Sequence, residues 1–423
     1  MKLLVFAHTP PPHHGQSYMV QLMLEGFGGD RRKTASGHAL KNGFGIDCYQ
    51  VNARFSRTLE DVGEFQGWKI FLIFFYCLQA IWCRYRYGID NFYYVPAPGK
   101  RVALYRDWLI MFLCRPFFKN MILHWHAAGL AKWLETSTTI SSRAATYRLF
   151  RPVNLSIVLS KYNIGDAEKL LSSRIRVVDN GIADPCPDFT ESVLPRRIAR
   201  AEARRKLLAG ESLQPAEIQA AGGDPQVVRV LFLAHCIRQK GLFDALEGVV
   251  LANARLQQMN SPLRLELTVA GEFISPQDQA DFDQRVSLIE FETAGQTHVN
   301  YLGFVSGPVK LRAFVKCDCF CFPTYYHAES FGLVVVEAMS FGLPIVTTRW
   351  RSIPEIMPLN YPGLVDPQSP PQIAGALIRL MSECSAEVMR KNFITRFTLQ
   401  AHLAALAEAL HSVETTGPNP LPA

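Results

Sequence analysis

What most constrains this chain is a rhythm that runs, stops and starts again. Up to RIRVVDNG (174–181) short apolar runs alternate with amphipathic ones, residues 184–226 break the pattern, and VVRVLFLAH (227–235) restarts it. Apolar runs of strand length bounded by turn residues read as strands buried on both faces. Strands alternating with helices read as a doubly wound parallel sheet. Two such stretches in 423 residues predict an α/β chain of two Rossmann-like domains facing each other across a cleft. The expected boundaries are 1–190, a basic connector at 191–226, 227–392, and a last segment at 393–423.

Along the first stretch, KLLVFAH reads as a strand and TPPPHHGQ as a loop, and SYMVQLMLEGF reads as a helix with Ser17 near its N-cap. NFYYVPAP, VALYRDWLIMFLCRPF and NMILHWHA follow as strand-like apolar runs with helices between them. LSIVLS, the helix at KYNIGDAEKLL and the strand at RIRVVDNG close it. In the second stretch, strands at 227–235, LRLELTVAG, HVNYLGF, DCFCFPT and LPIVTT alternate with four helices. The connector holds Arg196, Arg197, Arg200, Arg204, Arg205 and Lys206 against a single Glu202. Such a run reads as a solvated linker helix, with an acidic membrane face as the alternative contact.

A net charge of +7 favours anionic partners such as phosphates, membrane surfaces or nucleic acid without choosing among them. MKLLVFAHTP is too short for a signal-peptide core, so the ten cysteines fit a reducing cytoplasm. WKIFLIFFYCLQAIWC (68–83) falls short of the roughly 20 apolar residues that cross a bilayer. It reads first as a buried helix. The RYRY that follows keeps open a helix lying on the inner face of the cell membrane.

The chemistry concentrates in HAESFGLVVVEAMSFGLP (327–344). Ser330 is the expected N-cap of a helix from Phe331 to about Phe341, stopped by Gly342. Glu329 then stands at the helix mouth, where Phe331, Gly332 and Leu333 offer N–H groups without helical acceptors. Glu337 lies two turns in and about 80° round from Glu329, which excludes a tight carboxylate dyad. Lys240 and Gly241 follow the strand LFLAH at the corresponding turn, where an ammonium neutralises phosphate. Gly15, before the first helix, is a weaker anion signal. HWHAAG (124–129), with His8, His13 and His14, admits a metal site but lacks acidic ligands at matching strand ends. Cys317, Cys319 and Cys321 share a strand face and read as core.

These segments resemble, in order along nearly the whole chain, the retaining glycosyltransferases of family 4, which have the GT-B fold and an E-x7-E motif. The likeness rests on Glu329 and Glu337 within ESFGLVVVEAMSFGLP, and on TPPPHHGQSYM, HWHAAG, VLSKYN, VVDNGIADP, LFLAHCIRQKG, LTVAGE, WRSIPEI and NFITRFTLQAHLAAL. It implies that a sugar moves from a nucleotide-diphosphate donor to a saccharide or lipid-linked saccharide acceptor in cell-surface polysaccharide synthesis. It also implies retained configuration, no metal or other cofactor, and no nucleic-acid partner. Domain 1–190 would take the acceptor and 227–392 the donor, with the last segment crossing back to the first domain. Glu329 and the amides of Phe331, Gly332 and Leu333 would hold the donor sugar, Glu337 the ribose and Lys240 the departing diphosphate. Gly15 would line the donor and His126 would stand near the acceptor. The family usually carries arginine where this chain has His235, and Arg238 is the expected substitute. The alternative reading is a GT-B nucleotide-sugar 2-epimerase.

Overall fold

The computed structural model describes residues 1–11, 15–33, 43–55 and 67–414. They form two compact units, one of 1–182 with the segment from Leu399 onward, the other of 183–398.

The first unit runs β1 (Lys2–Phe6), α1 (Gly15–Gly26), β2 (Asp47–Val51), α2 (Trp68–Tyr87), β3 (Asn91–Tyr94), α3 (Arg101–Cys114) and β4 (Asn120–Trp125). It continues with α4 (Leu130–Ser137), α5 (Ile140–Phe150), β5 (Leu155–Val158), α6 (Ile164–Lys169) and β6 (Ile175–Val177). The six strands are all parallel, in the order β2-β1-β3-β4-β5-β6. Parallel strands covered on both sides need apolar residues at every position, which is why these runs show no polar alternation. Successive side chains still take opposite faces. Leu4, Phe6, Phe92 and Tyr94 enter the core shared with Ile73 of α2 and Ile110 of α3. Leu3, Val5 and Tyr93 enter the core shared with Val20 of α1. The run 102–117 is α3 rather than a strand, and β2, short and polar at its first residue, gave no sequence signal.

The second unit runs α7 (Leu194–Leu208), α8 (Pro215–Ala220), β7 (Val227–Leu233), α9 (Leu242–Gln258), β8 (Arg264–Ala270), α10 (Pro276–Glu292), β9 (Val299–Tyr301) and α11 (Gly307–Lys316). After these come β10 (Cys319–Phe322), α12 (Leu333–Ser340), β11 (Ile345–Thr348), α13 (Ile353–Ile356), β12 (Leu364–Val365), α14 (Pro370–Leu380) and α15 (Ala386–Arg396). Its sheet is also six-stranded and parallel, in the order β12-β11-β10-β7-β8-β9. The last helix, α16 (Leu399–His411), belongs to the first unit, where Leu403, Leu406 and Leu410 join the core of β1 and α1.

Three expectations change. The first unit ends at Ile182 rather than 190, and the returning segment begins at Leu399 rather than 393. The basic connector is not a solvated linker, because 191–226 is part of the second unit. Within α7, Arg200 and Arg204 are buried and pair with Asp318 at 2.6 and 2.7 Å, while Arg197 donates to the carbonyls of Phe341, Cys317 and Phe314. Finally, α2 is buried on one side only, at Ile73, Cys77, Ala80 and Cys83.

All ten cysteines are free thiols. Burial pushes the Cys317 thiol up to about 12 and also raises Cys319 and Cys321, as expected of core residues.

Candidate active site

In the second sheet the strand order reverses between β7 and β10. At such a switch point the connections leave toward opposite faces and open a crevice at the carboxyl ends of the two strands. Lys240 lies in the turn after β7, and Glu329 lies in the loop after β10. Their side chains meet, with Lys240 Nζ 2.6 Å from Glu329 Oε2. The same ammonium stands 4.7 Å from the centre of the Tyr326 ring and 5.5 Å from that of Phe322. One cation is thus held by a carboxylate and two aromatic faces, a set that fixes it in place.

A main-chain bond joins the two loops, and an indole side chain braces the second. Tyr325 N–H donates to the Gln239 carbonyl at 2.8 Å, and the Trp350 indole N–H, beyond β11, donates to the Tyr326 carbonyl at 2.9 Å. Gly241 is what lets the first loop come so close. It has a φ of 83°, and a Cβ there would sit 2.3 Å from the Pro323 carbonyl oxygen. Any side chain would push the Lys240 turn away from the Glu329 loop.

The motif helix differs from expectation at its start. α12 opens at Leu333, capped by Gly332 with a φ of 78°, so neither Ser330 nor Phe331 begins it. A Cβ on Gly332 would lie 2.8 Å from Ile353 Cδ1. Glu329 therefore stands outside the helix, and the 80° separation from Glu337 does not apply. Glu337 is the fifth helical residue rather than two turns in, and it pairs with Lys310 of α11 at 2.6 Å. The N–H groups of Leu333 and Val334 open the helix without intrahelical acceptors. Phe331 is buried against Phe397. Gly342, with a φ of 62°, follows the helix end as expected.

Arg238 is engaged elsewhere. Its guanidinium pairs with Asp278 at 3.1 Å and with Asp281, both on α10, and stacks on Phe243. Burial, and then the Lys240 charge, hold the His235 imidazole below its ordinary range, so it is neutral at pH 7. Lys310 and Tyr326 were missed in the sequence. A lysine among the basic residues of α11 has no local mark that it reaches a glutamate 27 positions on.

In the first unit, Gly15 is the first residue of α1, and Ser17 lies inside that helix rather than at its cap. Pro12, His13 and His14 lie outside the described residues. His126 directly follows β4, its ring centre 4.1 Å from that of His124. Among the described residues no group of three or more histidine, cysteine or acidic side chains is disposed to hold a metal ion.

His124 is buried beside Tyr93, with 2.5 Å between its Nδ1 and the phenol oxygen. Burial, and then His126 and His402, hold its imidazole well below 6.5. Burial also lowers His402. Both rings are neutral when folded and take protons when unfolded. Stability is therefore full above pH 6.5 and falls as pH drops below it, by up to about 1.4 kcal/mol per pH unit for His124 and by less in all for His402, whose loss stops at its own folded value. A series of thermal melts from pH 8 to pH 5 checks this, and His124→Asn should flatten the acid limb.

Against known proteins, the family match falls in the second unit. Residues 215–396 match the family model described as Glycosyl transferases group 1. The matched span contains Lys240, Glu329 and Glu337 together. Among curated proteins, an uncharacterized glycosyltransferase, MJ1607, of Methanocaldococcus jannaschii is 26% identical over 155 residues, 36% of each chain. The amylovoran biosynthesis glycosyltransferase AmsK of Erwinia amylovora is 25% identical over 195 residues, 44% of this chain and 45% of that one. The chain spans less than half the length of these relatives. Among solved structures, Anabaena Alr3699/HepE in complex with UDP and glucose superposes with a TM-score of 0.60 at 14% identity, covering 97% of this chain and 99% of that one. At that identity the likeness concerns the fold, and the fold is GT-B.

Proposed function

We propose that the protein is a glycosyltransferase that moves a sugar from a nucleotide-diphosphate donor to a saccharide or lipid-linked saccharide acceptor, with the anomeric configuration retained. The observation that carries this reading is the Lys240–Glu329 pair at the switch point of a group 1 domain. A diphosphate entering the crevice offers Lys240 a stronger partner than one carboxylate. Glu329, released, then accepts hydrogen bonds from the donor sugar. As the sugar–phosphate bond breaks, charge builds on the diphosphate. On this reading Lys240 and the opening N–H groups of α12 meet it, and no divalent ion is called for.

The acceptor hydroxyl attacks on the face the diphosphate leaves, its proton passing to a phosphate oxygen. No protein nucleophile is assigned. Glu337 is assigned to the ribose, which requires it to share or exchange Lys310. His126 and Gly15 are assigned to the first unit's part in the reaction, His126 on the acceptor side. Arg238, bound to α10, is left only a minor part in phosphate binding. The likeness to a protein solved with UDP and glucose supports a nucleotide sugar as donor, and that to a polysaccharide-biosynthesis glycosyltransferase supports an acceptor in cell-surface polysaccharide assembly.

A melting-temperature screen against UDP-, GDP- and ADP-sugars tests the reading. One donor class should raise Tm, by a stabilisation of about 2.7 kcal/mol at a hundred times its Kd. No shift with any nucleotide sugar, and no nucleoside diphosphate released when acceptor lipids are added, would rule it out.

A further inference from the structure

The first unit's α2 carries an apolar face that its own sheet does not use. One side of the helix buries Ile73, Cys77, Ala80 and Cys83. On the other side Phe71, Leu78, Trp82 and Tyr85 are 78, 67, 54 and 69% exposed, with Phe75 exposed between them. At about 100° per residue these five side chains fall within an arc of about 80°, opposite the buried row. The stripe runs on past the end of the helix, where the Phe117 ring lies 6.3 Å from that of Tyr85. Single exposed apolar residues are ordinary on a soluble domain, but an unbroken row of large ones marks an interaction surface.

We propose that this face docks the protein on an anionic phospholipid bilayer, with α2 lying in the plane of the headgroups. Three observations select that partner. First, among the described residues no helix is long and apolar enough to cross a membrane, so the stripe is suited to lying on one. Second, its composition changes along its length. Phenylalanine and leucine give way to Trp82 and Tyr85, the residue types that settle at headgroup level. Third, the helix contains Lys69, Arg84 and Arg86 and not one carboxylate, with Arg84 shared with Asp90 at 2.6 Å. Of the three, Arg86 borders the stripe, about 60° from its middle, where an acidic headgroup complements it, while Lys69 and Arg84 lie on the other side of the helix.

The test uses the full chain with phosphatidylglycerol–phosphatidylcholine vesicles and needs no substrate, so it stands or falls independently of glycosyl transfer. The protein should sediment with these vesicles at low salt, and its tryptophan emission should shift to the blue. Phe71→Ser/Leu78→Ser should reduce vesicle binding about tenfold or more, since two buried side chains are lost from the membrane phase. Arg86→Glu should weaken it about fivefold or more, while the melting temperature stays that of the parent. Three outcomes overturn the proposal: recovery of the parent protein wholly in the supernatant, undiminished binding by both variants, or equal binding to pure phosphatidylcholine. A dimer that the serine variant dissociates, without vesicle binding by the parent, would assign the face to a second copy instead.

Discussion

Lys240→Ala should lower the rate of sugar transfer by about 10²–10³-fold, the usual cost of removing one group that stabilises developing charge, with the fold intact. Glu329→Ala should lose transfer to a similar extent, yet the two variants should part company in binding. Without Lys240, a nucleoside diphosphate loses its cation and binds more weakly. Without Glu329, the ammonium loses the carboxylate 2.6 Å away that competes for it. The nucleoside diphosphate should then bind as tightly as before, or more so. Calorimetric titration of both variants with the nucleoside diphosphate of the preferred donor separates these cases. Unchanged turnover in Glu329→Ala would remove that residue from the donor site. Parallel weakening in both variants would mean that the pair acts as one structural unit.

The second large effect lies at Asp318, where Asp318→Asn should destabilise the second unit by about 3–5 kcal/mol. Its carboxylate accepts from Arg200 and Arg204 and from the Arg229 main-chain N–H at 2.9 Å. Burial opposes its ionisation, but the two guanidinium groups outweigh burial and hold its carboxyl below the usual range. Asparagine keeps the shape and leaves two buried cations short of their counter-ion. Arg205→Ala, on the exposed side of the same helix, should change stability by less than about 0.5 kcal/mol. Denaturant melts of the two variants provide the comparison. Equal midpoints would return α7 to the status of a solvated charge run.

That contrast shows what local sequence carries and what it does not. Strands β7 and β10 were legible because a parallel strand covered on both faces is apolar nearly throughout, and β8 because its apolar residues alternate with Arg264, Glu266 and Thr268 at the strand period. Lys240 and Glu329 could be singled out because each sits in its own marked segment, LFLAHCIRQKG and ESFGLVVVEAMSFGLP, although nothing across the 89 positions that separate them signals that their side chains pair. Arg200 and Arg204 were misread because the aspartate that takes them inside is more than a hundred positions away. The start of α12 was misplaced for a related reason. Ser330 is a good cap by type, but the left-handed turn at Gly332, packed under Ile353, delays the helix to Leu333. On α2 the composition was visible, while the division into a buried and a bare side depends on which way β1 and β3 face.

The return of α16 to the first sheet has a consequence for how the protein is made. Leu399 N–H donates to the Ile182 carbonyl at 2.8 Å, so the chain leaves the first unit and re-enters it at one point. The second unit is, topologically, an insertion between neighbouring residues. A ribosome delivers it whole before Leu403, Leu406 and Leu410 exist to cover α1. Until then Val20, Met23 and Phe27 wait uncovered, and the half of the protein that is begun first is finished last.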